Sequence, residues 1–197
     1  MTATTRKGTK IVRYLTIPLA LVASGLLVAQ ASYSAYSTTT ANPTSNWTTG
    51  TLALTDDDSN TALFTASSLV PGSTGTKCIV VTSASTVPTT IKLYGTTPST
   101  TLALSTWIDL TVTLGAGGSN ATCTGFVADI TNPSVYSGTL AAFGTSATSF
   151  SNGLGVWAPA AAGSKTYRFV YTVNSAAPNS TAGGTAAIGF TWEAQTN

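Results

Sequence analysis

Histidine is absent from all 197 residues, and Glu193 is the only glutamate. Without histidine there is no H-E-x-x-H site, no Ser-His-Asp or Cys-His nucleophile arrangement, and none of the usual ligand sets of catalytic zinc. The other acids are Asp56, Asp57, Asp58, Asp109 and Asp129, so a carboxylate pair for glycoside hydrolysis would have to be drawn together from distant segments. No catalytic residue and no cofactor are expected, and the chain is not read as an enzyme.

Charge is scarce as well. Charged residues are 7% of the chain, against about 25% in typical soluble proteins, which leaves the surface to be solvated by Ser and Thr hydroxyls. Eight Lys and Arg face six Asp and Glu, but Arg6, Lys7, Lys10 and Arg13 all stand at the very start. Lys77, Lys92, Lys165 and Arg168 remain, too scattered to follow a phosphate backbone and without interleaved aromatics, so nucleic acid is not an expected partner.

The four early basic residues precede an apolar stretch, residues 15–29, broken only by Thr16, Pro18, Ser24 and Gly25. A basic start, a short apolar core and a small-residue junction make a secretory leader. The stretch is barely long enough to cross about 30 Å of hydrocarbon as a retained anchor. Two junctions suit a signal peptidase, one after Ala31 and one after Ser34. The expected organisation is a leader over residues 1–31, with cleavage as late as 34, an extended segment over 32–46, and one domain over 47–197. Loss of the leader removes four of the eight basic residues and turns the net charge to −2. The expected location is outside the cell, with membrane contact only through the uncleaved leader.

Cysteine usage agrees with export. Cys78 and Cys123 are the only two, in stretches that read as strands, "TKCIVVTS" and "NATCTGFV". An even count in an oxidising compartment favours one disulfide, worth roughly 4 kcal/mol in the chain-entropy model; the alternative is two buried thiols that never meet.

What the chain does have is alternation. In "TWIDLTVTL", Ile108, Leu110, Val112 and Leu114 share one face; in "KTYRFVYTV", Tyr167, Phe169, Tyr171 and Val173 do; in "AAIGFTWEA", Ile188, Phe190 and Trp192 do. This is the period of half-buried strands. Shorter β-rich runs at "GTLALT", "TKCIVVTS", "PTTIKLYGT" and "NATCTGFV" lie between turn clusters such as Val70-Pro71-Gly72-Ser73 and Gly115-Ala116-Gly117-Gly118. Seven or more such strands predict an all-β fold, an antiparallel β-sandwich or jelly roll. Residues 134–147, "SVYSGTLAAFGTSA", are the one candidate helix, with Val135, Leu140 and Phe143 covering an end of the sandwich.

The order of short motifs resembles the TasA/camelysin family of exported proteins. Trp47, Gly50, Thr51, Leu52 and Leu54 match that family's F-x-x-G-T-L-x-L strand; Leu69, Pro71 and Gly72 match its L-x-P-G-D turn; Phe190, Trp192, Glu193, Ala194 and Gln195 match its closing F-x-F-E-A-x-Q strand. Ser73 stands where the family often has Asp, and residues 95–163 match no family pattern. The resemblance implies a jelly-roll subunit, released by a signal peptidase, that assembles into extracellular fibres of a biofilm matrix as a homo-oligomer. It also implies that the freed N-terminal segment serves as donor strand for the next subunit. The residues concerned are Ala35, Tyr36, Ser37, Thr38, Thr39, Thr40, Ala41 and Asn42, uncharged and with too few apolar side chains to fold alone. Such a segment either pairs with an exposed sheet edge, with Tyr36 as anchor, or is a plain linker.

The one acidic cluster, "TDDDSNT", places Asp56, Asp58 and Asn60 at positions 1, 3 and 5 of a calcium-type loop, but Thr61 replaces the glycine and no glutamate closes it. It reads as a weak metal site or a solvated turn. Asn46, Asn120 and Asn179 begin glycosylation sequons. A second function class stays open: a monomeric surface module binding carbohydrate or protein through Trp107 and Trp157.

Overall fold

The computed structural model describes residues 49–196, all within one compact unit, Thr48–Asn197. The leader, its junctions at Ala31 and Ser34, the segment from Ala35 to Asn42, Asn46 and Trp47 lie outside the described residues. Nine strands are present among those described: β1 (Leu54–Asp56), β2 (Thr74–Ser83), β3 (Thr89–Thr100), β4 (Ile108–Ala116), β5 (Val127–Ala128), β6 (Ser134–Thr139), β7 (Leu154–Trp157), β8 (Gly163–Val173) and β9 (Ala186–Thr196), with one short helix, α1 (Leu140–Ser146).

They form two antiparallel sheets of unequal size. The larger runs β1-β2-β8-β4-β5, with β6 also paired to β4; the smaller runs β7-β3-β9. β8 is the centre of the larger sheet, pairing along its length with β2 on one side and β4 on the other. The period-2 pattern explains why. Tyr167 and Phe169 are fully buried, as are Val112 and Leu93, while Ile108, Leu110 and Leu114 are at most 7% exposed. Each large apolar side chain buried this way stabilises the fold by about 1.5–3 kcal/mol.

Four local expectations are corrected. Residues 134–147 are not a helix throughout. The Ser134–Thr139 half pairs with β4, whose edge is free there, and its Val135 and Tyr136 suit a strand. The helix begins only at Leu140, where the Thr139 hydroxyl accepts from the Ala142 N–H as N-cap. Phe143 then closes one end of the core, fully buried and 5.0 Å from the Tyr136 ring. Trp107 belongs to a 3₁₀ turn, Leu104–Trp107, that precedes β4. The "GTLALT" strand is reduced to β1, because before it Thr51 and Ala53 run beside Ser85 and Thr86, whose hydroxyls accept from the backbone N–H groups of Ala53 and Thr51.

The fourth correction concerns Cys123. The disulfide to Cys78 is present, but Cys123 lies in an irregular loop, residues 117–126, and not in a strand. Gly117 and Gly118, at φ +80° and +73°, turn the chain back at the end of β4, a conformation that glycine adopts without steric cost. The loop then folds over the outer face of the larger sheet. There Phe126 lies 4.6 Å from the Arg168 guanidinium carbon, and Arg168 is the register partner of Cys78. Cys78 and its neighbour Ile79 point to opposite faces, yet each is only 1% exposed. The sheet is therefore covered on both sides at this place, and the disulfide fastens a loop to a strand.

Candidate functional site

Among the described residues the sandwich is not closed along β9. The other strands at sheet margins, β1, β5, β6 and β7, run for three, two, six and four residues, whereas β9 runs for eleven. Among the described residues it pairs with β3 on one side only. Short margins limit unwanted pairing, and long ones are normally protected by lysine, proline or a covering loop. The sequence of β9, AAIGFTWEAQT, has one charge, Glu193, and no proline. Glu193 accepts from the Tyr94 hydroxyl at 2.9 Å and from the Gln195 amide at 2.7 Å. These two bonds, that of Gln195 foremost, hold its carboxyl below the usual range; the same contact raises the Tyr94 hydroxyl.

Beneath this margin a groove of about 560 Å³ runs between the two sheets. Ile188, Phe190 and Trp192 of β9 line one wall, and Ile79, Leu110 and Tyr171 of the larger sheet line the other. Aromatic pairs join the walls at its inner part. Tyr167 meets Trp192 at 5.3 Å between ring centroids, and Phe169 meets Phe190 at 4.7 Å. The next β8 aromatic is Tyr171, two residues on, and its ring partner is not on β9. It is Phe64, 5.0 Å away and edge-on at 88°.

Phe64 comes from the long connection between β1 and β2, which has no regular structure over residues 57–73 and contributes Leu63, Phe64 and Leu69 to the groove. One end is anchored by Asp57, whose carboxylate accepts from the Val80 N–H at 2.8 Å and from the Asn120 N–H at 2.8 Å. The other end is the Pro71-Gly72 turn. There Ser73 N–H donates to the Val70 carbonyl, Gly72 N–H donates to that of Val173, and Gly72 sits at φ +86°. Between the anchors, residues 62–69 make no hydrogen bond among the described residues. Leu63 and Phe64, half-buried against the core, hold the stretch.

The calcium-type positions are spent on the turn itself. The Asp56 carboxylate accepts from the Asp58 N–H, and that of Asp58 accepts from the Asn60 N–H at 2.7 Å. Burial, followed by the neighbouring Asp58, pushes the Asp56 carboxyl up. The acid of this run that bridges separate parts of the fold is Asp57, which sequence reasoning left unassigned. Trp107 and Trp157 are half-buried, and Trp157 packs on the core. The Asn120 N–H donates to the Asp57 carboxylate, outside its own loop, whereas Asn179 is exposed on a 3₁₀ turn.

The stretches that carry the family resemblance fall in separate parts of the fold, the first beside the Ser83 end of β2 and the second beside its Thr74 end. Gly50 to Leu54 leads into β1, Leu69 to Gly72 closes the connection beside the groove, and Phe190 and Trp192 form its wall. No protein-family model matches the chain, and no curated protein sequence matches it. Phe64 went unassigned in the sequence. A seventeen-residue connection over 57–73 was its available signal, since loops of that length are uncommon unless functional.

Proposed function

We propose that this chain is an exported structural subunit of the TasA/camelysin type, without catalytic activity, that assembles into extracellular filaments. In this reading residues 35–42 of one copy add as a strand to the outer side of β9 in the next. The observation that carries it is the eleven-residue, nearly uncharged margin of β9 beside an apolar groove. The dimensions agree. Eight residues at about 3.3 Å each cover roughly 26 Å, within the roughly 36 Å of β9. The six residues that follow, 43–48, add reach of up to about 20 Å toward a neighbouring domain. Neither side of the contact brings a charge to be desolvated except Glu193.

Each backbone hydrogen bond would contribute about 1 kcal/mol net, and burial of Tyr36 about 1.5–3 kcal/mol. A head-to-tail contact of this kind is heterologous and need not close, which gives a filament. The monomeric-module alternative would bind through Trp107 and Trp157, both of which are half-buried. Electron microscopy of exported protein starting at Ser32 or Ala35 tests the proposal. Filaments are expected. Deletion of residues 35–42 should leave soluble folded monomer, and Tyr36→Asp should weaken assembly without unfolding the domain. The same filaments from the deletion variant would overturn the reading.

A further inference from the structure

We infer that the connection over residues 62–69 is a built-in occupant of the assembly groove, and that Phe64 holds the place an incoming Tyr36 takes. The inference rests on the proposed donor-strand contact and adds its regulation. Three observations carry it. First, the β8 aromatics Tyr167, Phe169 and Tyr171 make successive cross-sheet pairs, and only the third has its partner from the connection and not from β9. Where the inward face of β9 carries the aliphatic Ile188 and no aromatic, the ring partner is a side chain of the same chemical kind as the proposed anchor. Second, the stretch is tied at Asp57 and at the Val70–Ser73 turn but makes no hydrogen bond over 62–69 among the described residues, so its departure from the groove would break no ladder there. Third, Ser68 sits at φ +56°, a conformation that serine adopts at a steric cost. An arriving strand would offer β9 backbone hydrogen bonds that this stretch does not make. It competes for one aromatic pocket and gains a sheet margin besides.

Free subunits would thus keep the groove covered until a donor arrives, which guards the β9 margin against other partners. The exchange needs no chemistry, only displacement of Leu63 and Phe64 from the walls they touch.

The test uses exported protein kept dilute enough to stay monomeric, verified by light scattering, with a fluorescent peptide of sequence AYSTTTAN as probe. Leu63→Cys places one free thiol on the connection, because both native cysteines are paired. Saturating peptide should raise the rate of thiol alkylation at least ten-fold. Ser67→Cys, already exposed, should show no change. Phe64→Ser should bind the peptide about ten-fold tighter, provided its thermal transition and disulfide are retained. Peptide binding that leaves the alkylation rate unchanged overturns the resident-occupant inference while the donor-strand reading stands. Absence of peptide binding in both the native chain and Phe64→Ser overturns the two together. Equal or weaker binding by a folded Phe64→Ser overturns the competition.

Discussion

Two irregular connections lie over this sandwich and are held by opposite means. Residues 117–126 cover the outer face of the larger sheet and are fixed by the Cys78–Cys123 disulfide, the Phe126–Arg168 contact and internal bonds such as Ser119 N–H to the Thr122 carbonyl. Residues 62–69 line the groove and are held by apolar contacts, Leu63 and Phe64 against the core and Leu69 in the groove. The two meet at one residue, Asp57, whose carboxylate accepts from Val80 beside the first anchor and from Asn120 within the stapled loop. The difference teaches how each connection is fastened: the one over the outer face is cross-linked, and the one at the groove is held by apolar side chains without hydrogen bonds among the described residues. Stability of this kind is distributed unevenly over a fold, with binding segments drawn from its weaker end.

The largest effect should come from breaking the stapled side. The disulfide closes a loop of 45 residues, and its loss by reduction or by Cys123→Ser should lower unfolding free energy by about 4 kcal/mol in the chain-entropy model. Urea unfolding with and without reductant measures it. A loss below about 1 kcal/mol would mean that Phe126 and the hydrogen bonds hold the loop unaided, and the contrast between the two connections would fall away.

A smaller effect should follow at the shared anchor. Asp57→Ala removes the acceptor for two backbone N–H groups, and with the carboxylate exposed to solvent the expected cost is about 1–2 kcal/mol. Asp57→Asn keeps one acceptor oxygen and should fall between. Hydrogen exchange sharpens the reading, since the N–H groups of Val80 and Asn120 should lose protection together. Loss at only one of them would separate the two connections.

The smallest effect lies on the open margin and depends on pH. The bonds to Glu193 lower its carboxyl in the folded state, so the stability they contribute is present above the unfolded value, near 4.5, and is lost as pH falls through the folded value. Thermal melts from pH 7 to pH 3 should therefore fall more steeply for the native chain than for Glu193→Gln. Asp56, raised by burial, works in the opposite sense and gains as pH falls. Asp56→Asn should remove that gain, making the acid limb steeper. Identical acid limbs for the native chain and Glu193→Gln would show that the β9 margin carries no carboxylate-linked stability.

Much of this architecture was legible in the residues themselves. Ile108 to Leu114, Tyr167 to Val173 and Ile188 to Trp192 alternate, and each run is a strand with those side chains turned inward. The Val70 to Ser73 turn stands where Pro71 and Gly72 require one. These features are local, because a strand's side chains alternate by backbone geometry whatever lies across from them. Tertiary structure decided the rest. Ser134 to Thr139 became a strand because β4 had an unpaired side to offer. Cys123 went to a loop because a chain reversal at Gly117 and Gly118 laid it over Cys78. The long margin of β9 follows from where its sheet happens to end, and the ring facing Tyr171 arrives from the far side of the chain. Whether a strand stands at an edge, and which side chain fills the gap beside it, is set by contacts between distant residues, and no stretch of neighbouring residues encodes that.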